Sequence, residues 1–384
     1  MKRIVLKIAI LVAAIGFTLA MIEFFIRKYY PQVTFNAAQA FSFNCFSEGE
    51  HRWLKLASNK TCTLRSNVGA FPDVEVKTNS NGLRNPEITK EKPATTKRVL
   101  FIGDSFTMGW GVPEDKAYPR LAEELARQMA PTTNLEFINA GFTGAGPSGY
   151  YLFLKYFGLE FKPDAIVIGT YVGNDITARR DIEWTKTDAT GLPEVVRSKS
   201  SYIDSQGNIR YKNTPFKYKI PLLRNSHLFV YLVDHLIPQS LTLPDHLKTS
   251  YLLCLFKPNC TEQDTAKAEV KRLFAGMKRL ADDAGIPILV VLIPAEFQVN
   301  ENMRLKYDIR VPLTPNDQRR PNEELMGWFK ENGIPSLDLL PVFQNNNDLM
   351  LYFEQDDHFN PLGHALAATA IAPAVLQLLS QPTP

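Results

Sequence analysis

Four short stretches of the chain carry side chains able to do chemistry together. Gly103-Asp104-Ser105 follows an apolar run at Val99–Ile102, and Asn139-Ala140-Gly141 follows a second such run. Gly173-Asn174-Asp175 comes after a third, and Asp356-Asp357-His358-Phe359-Asn360 comes after the last. A serine hydroxyl is a weak nucleophile until a base takes its proton, and imidazole is the usual base near neutral pH. The imidazole needs an acid or a carbonyl behind it to fix its tautomer and stabilise its cation. The tetrahedral intermediate needs pre-placed donors, and losing one costs roughly 3–4 kcal/mol of barrier. On these grounds Ser105 is the candidate nucleophile and His358 the candidate base. The backbone N–H groups of Ser105 and Gly141, with the side-chain amide of Asn174, are the candidate oxyanion hole. A glycine at 141 lets backbone approach an oxyanion with no Cβ in the way. The chemistry these parts can perform is acyl transfer.

Such residues must be brought together by a scaffold, and the intervening sequence describes one. Val99–Ile102, Leu135–Ile138, Ala165–Ile168 and Ile288–Ile293 read as strands buried on both faces, with a short last strand at Ser336–Leu339. Between them lie helical periods at 117–130, 150–157, 265–284 and 323–330. A final helix is capped by Asn360, with Pro361 at its first position, and Pro373 is expected to kink or split it. Alternating strands and helices at this spacing imply right-handed crossovers and a parallel sheet with helices on both faces. In such sheets active sites lie at the carboxyl ends of the strands, where all four stretches fall. The alternation breaks between about 181 and 260, which reads as an insertion over one end of the sheet.

The N-terminus carries a different signal. From Ile4 to Ile26 the only charges are Lys7 and Glu23. A helix over that run is long enough to cross a hydrocarbon core of roughly 30 Å. Lys2 and Arg3 before it favour keeping that end in the cytoplasm. A cleaved signal peptide would need a cut near Thr18-Leu19-Ala20, but the apolar run continues past it, so an uncleaved anchor is the favoured reading. Either way the remainder lies outside the cytoplasm. The four cysteines fit an oxidising compartment, with Cys45–Cys62 and Cys254–Cys260 as the expected pairs. Their spacing does not suit a structural zinc site. A formal net charge of +3 over 384 residues gives no reason to expect nucleic acid as a partner. The expected division is an anchor at 1–30, an extension at 31–95, and a main domain at 96–384 containing the insertion.

The four stretches, in this order, resemble the blocks of the SGNH hydrolases, the GDSL-type esterases and lipases. Here the first block reads Gly103-Asp104-Ser105-Phe106, with Phe where the family's short name has Leu. The resemblance spans 98 to about 370 and implies a flavodoxin-like three-layer α/β/α sandwich. It also implies ester hydrolysis or acyl transfer through an acyl-enzyme on Ser105, without metal or cofactor. Many members place the acid three residues before the histidine, where this chain has Gln355. Asp356, two before, is favoured over Asp357, and the Asp-x-His spacing resembles a membrane-linked branch that includes polysaccharide O-acetyl-modifying proteins. That points to acyl esters of envelope glycans, or of lipids, as substrates.

Other readings remain beside these. Ser105 could cap the following helix, Gly141 relieve a turn, and Asn174 close an Asx turn. Asp104 and Asp175 are expected to be structural, and His364 to face solvent or back the site. Trp110 lines the cleft or simply packs, and the remaining histidines are expected to be incidental. A glycan-binding module that has lost activity on the same fold is the alternative to an enzyme. A nucleotide-binding protein is disfavoured, because Gly103–Thr107 has too few glycines to cradle phosphate.

Overall fold

The computed structural model describes residues 2–40, 43–51, 53–66, 68–176, 182–212, 214–237, 249–257, 263–307, 309 and 312–380. These form two compact units. The larger is built on five parallel strands: β1 (Thr96–Gly103), β2 (Asn134–Gly141), β3 (Ala165–Tyr171), β4 (Ile288–Ile293) and β5 (Ser336–Asp338). Their order across the sheet is β2-β1-β3-β4-β5. Strands β1 and β2 diverge in connection from β1 and β3, so the switch point of this flavodoxin-like order lies between β1 and β3. Every residue of β3 and β4 is buried. Successive side chains of a strand point to opposite faces, so both faces of the sheet are covered.

The covering helices include Tyr118–Met129, which packs on the C-terminal helix Pro361–Ser380, and Pro147–Tyr156, which packs on Asp264–Asp283. The C-terminal helix is apolar enough to cross a membrane by composition. It is instead a core element, burying Ala367, Ala368, Ile371, Ala372, Val375 and Leu378. Asn360 caps it, accepting from the N–H groups of Leu362 (2.9 Å) and Gly363 (3.1 Å). Of the two outcomes expected at Pro373, the split does not occur: the helix continues through it. Pro373 and Thr369, whose carbonyl loses its partner, both face solvent, so the freed carbonyl is not buried and the packed face of the helix stays in register.

A second helix is longer than its periodicity suggested, spanning Pro315–Glu331. Pro315 at its first position and Pro321 inside it obscure its first turns. They form because Thr314 Oγ1 accepts from Asp317 N while Asp317 Oδ2 accepts from Thr314 N, a reciprocal cap. The segment before β1 contributes two small antiparallel hairpins, Phe46–Glu48 with Leu54–Leu56 and Thr61–Leu64 with Val74–Lys77. Cys45 and Cys62 are disulfide-bonded, as the sequence led one to expect. Cys254 is also disulfide-bonded, while Cys260 lies outside the described residues.

The smaller unit gathers the N-terminal helix Lys2–Tyr29, the short helix Phe35–Ala40, and the described part of 213–248, including the helix His227–Leu236. It thus groups part of the expected insertion with the expected anchor. Within Lys2–Tyr29 only Ile26 is buried.

Candidate active site

Strand β1 ends at Gly103, and the chain turns at once into the short helix Ser105–Met108. Asp104 caps that helix, its Oδ1 accepting from Phe106 N at 2.9 Å, so the capping role falls to Asp104 and leaves the Ser105 hydroxyl for other partners. Gly109, at φ 87°, closes the helix in the left-handed conformation. The turn is pressed into the sheet so closely that a Cβ on Gly141 would lie 2.2 Å from Met108 N.

His358 arrives from the far end of the sequence. It sits in the loop before the C-terminal helix, next to an isolated bridge between Tyr352 and Phe359. Ser105 Oγ donates to His358 Nε2 at 2.7 Å. On the other side of the ring, His358 Nδ1–H donates to Asp356 Oδ1 at 2.5 Å, and the same oxygen accepts from His358 N at 3.0 Å. Asp357 Oδ1 stands 3.3 Å from Nδ1 and is 43% exposed, against 20% for Asp356. The geometry therefore brings Ser105, His358 and Asp356 into one line, with Asp357 as a flanking charge.

The electrostatics follow from these contacts. Burial disfavours charging His358, but the carboxylates of Asp357, Asp356 and Asp104 outweigh it and hold the imidazole above its ordinary value. Burial pushes the Asp356 carboxyl up, yet its bond to His358, that residue's charge and the Trp110 indole N–H bring it below the usual carboxylate range. Trp110 and Phe106 also flank the imidazole, with ring centroids 5.5 and 4.9 Å away. Trp110 packs edge-on against Phe43 and Phe71. It therefore both packs and acts on the acid.

The predicted oxyanion donors divide. Gly141 sits at the end of β2, and its N–H already donates to Asn139 Oδ1 at 3.0 Å. Its missing Cβ serves the close approach of the Ser105 turn, so the expected donation by this amide does not fit the geometry. Asn174 follows β3, the neighbour of β1 at the switch point. Its turn is fixed by Asp175, whose Oδ2 accepts from Tyr150 Oη at 2.9 Å and Tyr171 N at 3.0 Å. Asp175 is thus the network partner the sequence suggested.

Other residues of the site region had no motif to announce them. Arg84 is fully buried and donates to the carbonyls of Met108 (3.0 Å), Gly109 (2.6 Å) and Val112 (2.7 Å). It clamps the segment just after the short helix. Lys306 Nζ donates to Phe353 O (2.9 Å) and Asp356 O (3.0 Å), pinning the loop that carries the acid and the imidazole. Of the two expectations for His364, that it faces solvent does not hold. It is fully buried, and its Nδ1 accepts from Tyr118 N at 3.2 Å, which holds the ring neutral. Burial first, then the positive charges of His358 and Arg84, lower it to about 3. His227, expected to be incidental, accepts at Nδ1 from Gln32 N at 2.9 Å.

Comparison with known proteins adds to this geometry. The GDSL-like lipase/acylhydrolase family matches residues 101–366. Among solved structures, an acetyl xylan esterase, AlAXEase, shares 16% identity, covering 72% of this chain and 99% of its own, with a TM-score of 0.41. A member of the lipolytic protein G-D-S-L family from Veillonella parvula DSM 2008 shares 12%, covering 73% and 99%, with a TM-score of 0.37. A GDSL-like lipase from Bacteroides thetaiotaomicron VPI-5482 shares 13%, covering 76% and 92%, also with a TM-score of 0.37. No curated protein matches the sequence.

Proposed function

The chain belongs to the GDSL-like lipase/acylhydrolase family, and from that membership we propose that it is a serine esterase or O-acyltransferase acting outside the cytoplasm. The observation that carries the reading is the unbroken relay from Ser105 Oγ through His358 to Asp356, at 2.7 and 2.5 Å. In the first step His358 Nε2 takes the Ser105 proton as Oγ attacks the ester carbonyl carbon. The new imidazolium is stabilised by Asp356 and by the neighbouring Asp357 charge. His358 then gives the proton to the departing alkoxide as the carbonyl re-forms, leaving the acyl group on Ser105. Water, or a sugar hydroxyl, is deprotonated by the same imidazole and attacks the acyl-enzyme, and collapse returns the proton to Ser105.

Two donors are proposed for the oxyanion: the backbone N–H of Ser105 and the side-chain amide of Asn174. Removing the second should raise the barrier by roughly 3–4 kcal/mol. Acyl esters of envelope glycans, with lipid esters as the near rival, are the proposed substrates. The apolar N-terminal helix and the Cys45–Cys62 disulfide support a site held at a membrane on its oxidising side. The test is turnover of a short-chain nitrophenyl ester and of acetylated oligosaccharides by the wild type and by Ser105→Ala. Ser105→Ala should lose at least about three orders of magnitude. Equal rates for the two proteins would remove the proposal.

A further inference from the structure

The N-terminal helix carries one acidic residue in its apolar run, and the structure gives that residue a task. Glu23 accepts from the N–H groups of His227 (3.0 Å) and Leu228 (2.7 Å) and from Ser226 Oγ (2.8 Å). It is therefore an intersegment cap for the helix His227–Leu236, placing a carboxylate at a helix N-terminus where the dipole favours it. Arg27, one turn on, donates to the same carboxylate at 3.2 Å.

Further bonds tie the same segment to the end of the N-terminal helix and the residues after it. Phe35 N donates to Arg224 O (2.9 Å), Asn36 N to Asn225 Oδ1 (2.9 Å), and Tyr218 Oη to Val33 O (2.6 Å). The Arg224 guanidinium lies over the Phe35 ring, 3.8 Å from its centroid. All of these residues belong to the smaller unit.

Depth follows from the helix geometry. Ile4 to Glu23 spans about 28 Å at 1.5 Å per residue, close to the thickness of a hydrocarbon core. Glu23, and with it the start of the helix His227–Leu236, therefore falls at the far boundary of any bilayer that the N-terminal helix crosses. Tyr29 and Tyr30, the aromatic residues expected at an interface, follow directly.

The segment clamped at that level displays apolar side chains to its surroundings. Leu222 is 94% and Leu236 70% exposed, and Phe216, Ile220 and Leu223 are exposed beside them. Lys217 and Lys219 are interleaved with these. Exposed leucines among cations, continuous with the uncovered apolar side of a spanning helix, suit the headgroup and upper acyl region.

We propose that residues 215–237 form a second membrane contact, lying in the outer leaflet's interface and held there by Glu23. The inference is independent of the esterase chemistry but rests on Lys2–Tyr29 crossing the bilayer. In that arrangement the segment fixes the anchor's exit at the lipid surface.

Depth-dependent quenching tests it. Full-length protein, with its disulfides intact, carries a single environment-sensitive nitrobenzoxadiazole label on Val12→Cys, Leu222→Cys or Leu236→Cys. Each variant is placed in phosphatidylcholine nanodiscs with or without lipids bearing a nitroxide near the headgroup or deep in the chain. Labels at 222 and 236 should be quenched at least twofold by the shallow nitroxide and the label at 12 by the deep one. Labels at 222 and 236 unquenched by either nitroxide while 12 is quenched would overturn the contact and leave the anchor standing. Absence of quenching at 12 as well would overturn the spanning helix and the inference with it. All three labelled positions are exposed, and Glu23→Gln supplies a second reading. It should weaken quenching at 236 and leave 12 unchanged.

Discussion

Two aspartates stand within reach of the same imidazole nitrogen, and they should fail in opposite ways. Asp356 orients the ring through two bonds to one oxygen, whereas Asp357 contributes charge from 3.3 Å with 43% of its side chain exposed. At that separation and with water-like screening, Coulomb's law gives about 1 kcal/mol between an imidazolium and a carboxylate. This corresponds to roughly a five- to tenfold change in the neutral fraction of the base. His358 is held above its ordinary value, so activity is lost as pH falls through that raised value, where the base becomes protonated. Asp357→Asn removes part of what raises it. The acid limb of kcat/KM should therefore move to lower pH. The variant should be roughly five to ten times faster than the wild type well below the limb and equal to it on the plateau. Asp356→Asn should instead lose on the order of 10³- to 10⁴-fold at every pH, because the tautomer and orientation go. The assay is a pH–rate profile with a nitrophenyl ester whose own hydrolysis is subtracted. A plateau loss in Asp357→Asn together with a mild effect in Asp356→Asn would reverse the assignment of the acid. An unmoved acid limb in Asp357→Asn would refute the electrostatic argument.

Three further outcomes are expected. His364 is neutral when folded, with its value lowered to about 3, so the unfolded chain gains a proton first as pH falls below about 6.5. Its contribution to stability is whole above that pH and is lost toward pH 3, at about 1.4 kcal/mol per pH unit. Denaturant midpoints of the wild type and His364→Asn should therefore converge on acidification, and parallel curves would contradict this. Arg84→Met strands three carbonyls behind the nucleophile turn, so kcat should fall at least about tenfold with little change in KM, alongside a lowered Tm. An Arg84→Met enzyme with wild-type kcat would show that the clamp does not position Ser105. Trp110→Phe keeps an aromatic ring but loses the indole N–H that favours ionised Asp356. Its kcat should drop by roughly tenfold, and a wild-type rate would assign Trp110 to packing alone.

Much of this was legible before the structure because it was written in local pattern. The buried runs of β1, β3 and β4 have no polar face, and each is followed by the small or polar residues that end a strand in a parallel sheet. Ser105 follows directly on a strand whose end is recognisable, while His358 and Asp356 stand just before a helix start marked by Asn360 and Pro361. Gly141 could not be assigned properly, since a glycine required by backbone approach and a glycine that donates to an oxyanion look the same in sequence. Arg84 and Lys306 act through main-chain carbonyls, which impose no partner residue type and leave no spacing to read. The task of Glu23 left no local signal because the amides that explain it lie about two hundred residues away. Pro373 misled because the cost of an interior proline depends on which side of the helix loses the bond, and periodicity alone did not weigh that.

The central claim is that the Ser105 hydroxyl is activated by His358, and a fluorophosphonate reports on it most directly. Incubation of the full-length protein followed by peptide mass spectrometry should place one phosphonyl group on Ser105. The group should be absent in Ser105→Ala, and its formation should slow at least about a hundredfold in His358→Ala. Label on another residue, or equal labelling rates with and without the imidazole, would contradict the account.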